Sequence, residues 1–250
     1  LLRQAAGLEK DQECQKDCAK IEGMSEMFPV VFLVDVDNTL LNNDQIQKDL
    51  AEHLQREFGA TCRDRYWKIL EDLFEQLGYR DYLGALQRYR IEHPTDIRLL
   101  AMSSYLVDYP FADRLYPCAL DVLKRLQSWG PTVILSDGDV VFQPRKVERS
   151  GISEAVSGHV LIYIHKEAAL SDVERRYPAA HYVMVDDKVR ILAAVKKEWG
   201  DHVTTVFPRQ GKFAHDPNVL AAYPSPDVTI ELIGDLLSYE LSKLVRKVLE

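Results

Sequence analysis

The stretch Val30-Val31-Phe32-Leu33-Val34-Asp35-Val36-Asp37-Asn38-Thr39-Leu40-Leu41 decides how this chain is read. Its first five residues form an unbroken apolar, largely β-branched run, as expected of a strand buried on both faces of a parallel sheet. The run stops at two carboxylates separated by one residue. In open α/β sheets ligands sit beyond the carboxyl ends of the strands, so this pair falls where a site is expected. Two acids held close together repel unless a cation or a shared proton compensates them. A hard divalent ion such as Mg²⁺ is the natural compensator, because it takes oxygen ligands and keeps waters that a phosphate can replace.

The same design recurs further along. Tyr182-Val183-Met184-Val185-Asp186-Asp187 is a second apolar strand ending in two acids, and Val133-Ile134-Leu135-Ser136-Asp137-Gly138 ends in a hydroxyl and a glycine turn. Ser136 and the amides after it are placed to hold an anionic oxygen at the start of a helix. Lys166, after Ile164-His165, is a candidate counter-charge, with Lys146 as the fallback. A single Asp or Ser at a strand end is ordinarily a cap or turn residue, and Asp139 fits that role. Two acidic pairs ending two buried strands do not.

Strands are predicted at 30–34, 131–135, 160–164, 182–185, 203–207 and 227–230. They alternate with segments of helical period, the pattern of a parallel α/β sheet covered by helices. A helix over 118–129 follows Pro117 and stops at Gly130-Pro131. The interval between the first two strands reads differently, as amphipathic helices near 45–58, 62–77, 82–92 and 96–107. A block that long is a subdomain rather than a loop. The expected organisation is an extension or extra helix over 1–25, a core of 26–43 and 112–250, and an inserted helical cap over 44–111.

Composition narrows the function. The 250 residues are 46% hydrophobic, enough for a sizeable core, and a net charge of -8 argues against gripping a nucleic-acid polymer. No apolar run approaches the roughly 20 residues of a membrane span, and residues 1–27 hold scattered charges rather than a signal-peptide core. The expectation is a cytoplasmic protein. Four cysteines are too few for a disulfide scaffold, and they lack the paired spacing of a zinc site.

Taken in order, Asp35-Val36-Asp37-Asn38-Thr39, Ser136, Lys166 and Asp186-Asp187 resemble the haloacid dehalogenase (HAD) superfamily over residues 28 to 235. In that pattern a strand ends in DxDxT, another in Ser or Thr, then come a Lys and a strand ending in acids. The resemblance implies a Rossmann-like core, an α-helical cap and Mg²⁺. It makes Asp35 the nucleophile, Asp37 the general acid and base, and Lys166 a catalytic lysine that also binds phosphate. Thr39, Ser136, Asp137 and Gly138 join it around the substrate phosphate. Asp35, Asp37 through its backbone carbonyl, Asp186 and Asp187 would surround the metal. Dehalogenating relatives lack the second Asp of the motif, so Asp37 favours phosphoryl transfer. The implied activity is a phosphatase for a small phosphomonoester, with a phosphomutase of the β-phosphoglucomutase type as the alternative. Substrate choice is expected to lie in the cap, where Tyr66, Trp67, Tyr89, Arg90 and Arg98 could face the leaving group, although aromatics at helical spacing are ordinarily core and Arg ordinarily solvated or paired.

Overall fold

The computed structural model describes residues 27–245; the extension expected over 1–25 lies outside them, as do Cys14 and Cys18. Six parallel strands form one sheet: β1 (Val31–Val34), β2 (Thr132–Asp137), β3 (Val160–Tyr163), β4 (Tyr182–Val185), β5 (Val203–Pro208) and β6 (Val228–Ile230). Their order is β3-β2-β1-β4-β5-β6, with every neighbouring pair parallel. The order reverses between β1 and β4, which creates a crevice at their carboxyl ends. Val34 lies in register with Val185, so the acidic residues that follow each strand emerge side by side.

Alternation along each strand feeds two cores, because successive side chains point to opposite faces. Phe32, Val34, Ile134, Val183 and Val185 pack on α5 (Ala119–Gln127) through Val122, Leu123 and Leu126. Val31, Leu33, Val133, Leu135 and Met184 pack on the other side against α7 (Leu170–Arg176) and α8 (Val189–Trp199). Both faces are apolar, which accounts for the unbroken hydrophobic runs of the strands.

The helical block between β1 and β2 comprises α1 (Asn43–Phe58), α2 (Ala60–Leu77), α3 (Tyr82–Glu92) and α4 (Leu99–Val107). It has a hydrophobic cluster of its own, including Leu50, Leu54, Tyr66, Leu70, Ala85 and Met102. Phe142, at the start of α6 (Phe142–Arg149), reaches into that cluster from the sheet side. Boundaries shift by one to three residues from the sequence reading, and two of the shifts have a visible cause. The last helix of the block begins at Leu99 rather than 96, because the Asp96 carboxylate accepts the Arg98 amide at 3.0 Å and closes a turn there. β2 runs two residues further than expected, through Asp137, because β3 pairs with Ser136 and Asp137.

Candidate functional site

Asp35 directly follows β1, and its amide donates to the carbonyl of Val185 at 2.9 Å. This bond extends the β1–β4 ladder by one residue and brings Asp35 beside Asp186 and Asp187. One carboxylate oxygen from each of the three lies within 4.8 Å of the others, and all three side chains are buried. Asp35 Oδ2 and both oxygens of Asp187 have no hydrogen-bond partner among the described residues. Three buried carboxylates with unpartnered oxygens form an all-oxygen donor set that suits a hard divalent cation such as Mg²⁺. Among the described residues this is the one cluster of metal-ligating side chains.

Two lysines offset part of the charge. Lys166, 0% exposed, comes from the 3-10 turn after β3; its ammonium donates to Asp35 Oδ1, pairs with Asp186 Oδ2 at 2.6 Å and donates to the Leu135 carbonyl at 3.2 Å. Burial works against that ammonium, yet Asp186 and Asp35 overcome it and hold its pKa above the usual lysine value. Lys188 is held high in the same way, burial being outweighed by Asp187 and Asp35. Burial pushes the carboxyls of Asp186 and Asp187 upward, more than Lys166 and Lys188 draw them down.

Asp37 is treated differently. Its carboxylate is 24% exposed and pairs with the almost fully buried Lys146 of α6 at 2.6 Å. Lys146 also donates to Asn43 Oδ1 at 3.2 Å, tying α6 to the first residue of α1. The loop after Asp37 turns through Asn38, whose φ of 61° is in the left-handed region that Asn tolerates better than most residues. Gln210 holds this turn by donating to the carbonyls of Asn38 and Thr39 at 3.1 and 2.9 Å. A Cβ on Gly211 would come within 2.7 Å of the Asn38 side chain, so glycine is required for the two loops to meet.

The expected phosphate-binding residues divide. Ser136 Oγ accepts from the Gln143 amide at 2.9 Å. Asp137 Oδ1 accepts the backbone N–H of Lys166 at 2.7 Å, fixing the turn that carries the lysine; burial is the main influence raising its pKa. The Gly138 N–H is already engaged by the Tyr163 carbonyl at 3.0 Å. Thr39 is wholly buried, and its hydroxyl accepts the amide of Asp187 at 3.0 Å, joining the ends of β1 and β4. Asp139 caps α6 by accepting the amides of Val141 and Phe142 at 2.8 and 2.6 Å.

A cavity of about 580 Å³ opens over this crevice. Asp37, Asp187, Lys146 and Lys188 line it from the sheet side, and Phe74 and Tyr79 line it from the helical block. None of the five cap residues considered for the leaving group lines it, and they follow the ordinary pattern of helical aromatics and arginines. Tyr66 and Tyr89 belong to the core of the block instead, and the Tyr66 hydroxyl donates to the Tyr82 carbonyl at 2.8 Å. Trp67 packs against that same cluster. Arg98 is bound to Asp96, and Arg90 lines a separate cleft. Sequence reasoning also missed Lys188, Gln143 and Gln210. Lys188 stood next to an acidic pair at a strand end, which is a legible signal for a counter-charge.

The family model for haloacid dehalogenase-like hydrolases matches residues 30–197. A crystal structure from Burkholderia xenovorans LB400, described as a haloacid dehalogenase-like hydrolase, is 62% identical, with a TM-score of 0.81 over 85% of this chain and 99% of its own. The HAD-hydrolase YfnB of Bacillus subtilis, solved bound to magnesium, is 14% identical with a TM-score of 0.56, over 85% of this chain and 98% of its own. An L-2-haloacid dehalogenase of Xanthobacter autotrophicus is 16% identical with a TM-score of 0.55, over 87% of this chain and 99% of its own. At such identities the last two establish likeness of fold alone. No functionally curated protein matches the chain.

Proposed function

The chain belongs to the haloacid dehalogenase-like hydrolases, and from that premise we propose that it is a Mg²⁺-dependent phosphatase acting on a small phosphomonoester. The observation that carries this reading is Asp37, whose carboxylate stands at the cavity, anchored by Lys146, beside the buried trio of Asp35, Asp186 and Asp187. A halide leaves without a proton, whereas an alkoxide leaving group needs one, and a positioned carboxyl is the group that delivers it. In the mechanism, Asp35 attacks phosphorus, the bond to the leaving oxygen breaks, and Asp37 protonates that oxygen. Water then attacks the phosphorus of the aspartyl-phosphate, Asp37 takes its proton, and phosphate and free Asp35 result. Lys166, bonded to Asp35 Oδ1, fixes the rotation of the carboxylate and offers positive charge to the phosphoryl oxygens. Ser136 contributes a hydroxyl to the same oxygens, with Gln143 holding it in place. A divalent ion bound by Asp35, Asp186 and Asp187 would supply the charge that lets an anionic nucleophile approach an anionic phosphate. The helices of 44–111 act as the cap, closing the cavity with Phe74 and Tyr79.

The test is phosphate release from a panel of phosphomonoesters with and without Mg²⁺, using Asp35→Asn as the control. Metal-dependent release abolished by that substitution is the expected result. Halide release from 2-haloacids with no phosphate release from any ester would overturn the reading.

A further inference from the structure

Resting on the phosphatase reading, we infer that the leaving group of the substrate carries a planar aromatic or heteroaromatic ring, taken up by the aromatic residues that line the cavity. Scattered surface aromatics need no explanation. Here three large rings converge on one cavity while leaving much of their surface open: Phe74 is 41% exposed, Phe213 47% and Tyr223 37%. They come from separate places, the end of α2, the 3-10 turn after β5, and the loop beyond the short helix Pro217–Ala221. Their agreement is therefore not a by-product of one amphipathic helix. Val219 and Ala222 continue the apolar lining.

The cations at this end of the cavity point the same way. Arg80 lies over the Phe74 ring at 5.2 Å and pairs with Glu71 at 2.9 Å. Lys212 lies over the Phe213 ring at 5.0 Å, while Arg190 is bound to Glu167. Two of these cations are paired with acids and the third lies over a ring. Arg80 and Lys212 thus each place a cation against a ring of the lining. At about 580 Å³ the cavity also exceeds the needs of a three-carbon phosphate and lies within the range of pockets that enclose larger ligands.

The experiment compares kcat/KM for benzyl, cyclohexylmethyl and ethyl phosphate, whose leaving alcohols are all aliphatic, so that differences report the ring rather than leaving-group acidity. Phosphate release is followed with Mg²⁺ for the parent, Phe213→Ala, Phe213→Tyr and Phe74→Ala. Benzyl phosphate is expected to be preferred over ethyl phosphate by about tenfold or more, the scale of one stacked ring. That ratio should fall toward unity in Phe213→Ala and Phe74→Ala and survive in Phe213→Tyr. Equal use of benzyl and ethyl phosphate overturns the inference while leaving the phosphatase reading intact. Equal use of benzyl and cyclohexylmethyl phosphate overturns its aromatic character. Release from none of the three overturns the phosphatase premise instead.

Discussion

Replacing Lys166 by Met keeps much of the side chain's length but removes the ammonium that pairs with Asp35 and Asp186, in a site where all three groups are almost completely buried. Taking away one member of a buried ion pair costs about 3–5 kcal/mol, because the abandoned charge has no water to turn to. Asp187, with both oxygens unpartnered, places a third carboxylate nearby, so the upper half of that range is expected without metal. For a chain of this length each kcal/mol moves Tm by roughly 2–4 °C, which makes the expected drop in EDTA about 8–20 °C. Saturating Mg²⁺ should recover more stability in the variant than in the parent, since the cation then offsets charge the lysine no longer covers. At a hundred times its Kd a ligand contributes about 2.7 kcal/mol. Thermal and urea unfolding, each run in EDTA and in Mg²⁺, supply the four values required. A loss below about 1 kcal/mol in EDTA, the level of an exposed pair, would refute the view that Lys166 is the counter-charge of this cluster.

Asp187→Asn should stabilise the metal-free chain at pH 8 and do so less at pH 5. Burial raises the folded carboxyl above its unfolded value, so the ionised parent loses stability as pH climbs from about 3.9 toward the folded pKa; urea unfolding in EDTA at the two pH values reads the gap. Lys146→Met and Asp37→Asn should each lower kcat/KM, the latter by about 10²–10⁴, and the double variant should be no worse than Asp37→Asn, since Lys146 acts through Asp37. Losses that multiply in the double variant would contradict that dependence. Gly211→Ala should cost about 1–3 kcal/mol, because φ is 73° and the new Cβ meets Asn38. It should also lower kcat by displacing the loop that carries Asp37, as thermal unfolding and phosphate release together would show.

The parts of the fold that were legible in sequence share one physical origin. A strand buried on both faces must be apolar without alternation, so 30–34 and 182–185 announce themselves, and a carboxylate pair at the end of such a run is too costly to be decoration. What stayed hidden is pairing across long separations. Lys166 appears in sequence as a lone lysine near a strand end, tied to Asp35 only by the family resemblance; the parallel pairing of β2 with β3 brings it 131 positions back to that carboxylate. Lys146, read as a substitute for Lys166, has its own partner in Asp37, a contact decided by how α6 leans over the crevice. The cap aromatics show the same limit of the sequence. Helical spacing identifies the buried face of α2 and α3, where Tyr66 and Tyr89 lie, while the ring that lines the cavity, Phe74, sits off that face and at the helix end.

The division of labour between the two lysines follows from charge. Around Asp35, three buried carboxylates face the ammoniums of Lys166 and Lys188, so with every group ionised the cluster carries one net negative charge. A bound divalent cation would reverse that to one net positive charge, a field suited to receiving a dianionic phosphoryl group. In the proposed mechanism Asp37 stands outside this arithmetic, because it exchanges protons with a leaving group and a water. Its separate anchor, Lys146 with Asn43 behind it, keeps its carboxylate at the cavity. The spacing of one residue in Asp35-Val36-Asp37 therefore delivers two carboxylates to one crevice and two electrostatic environments, one buried among acids and lysines and one paired with Lys146 at the cavity.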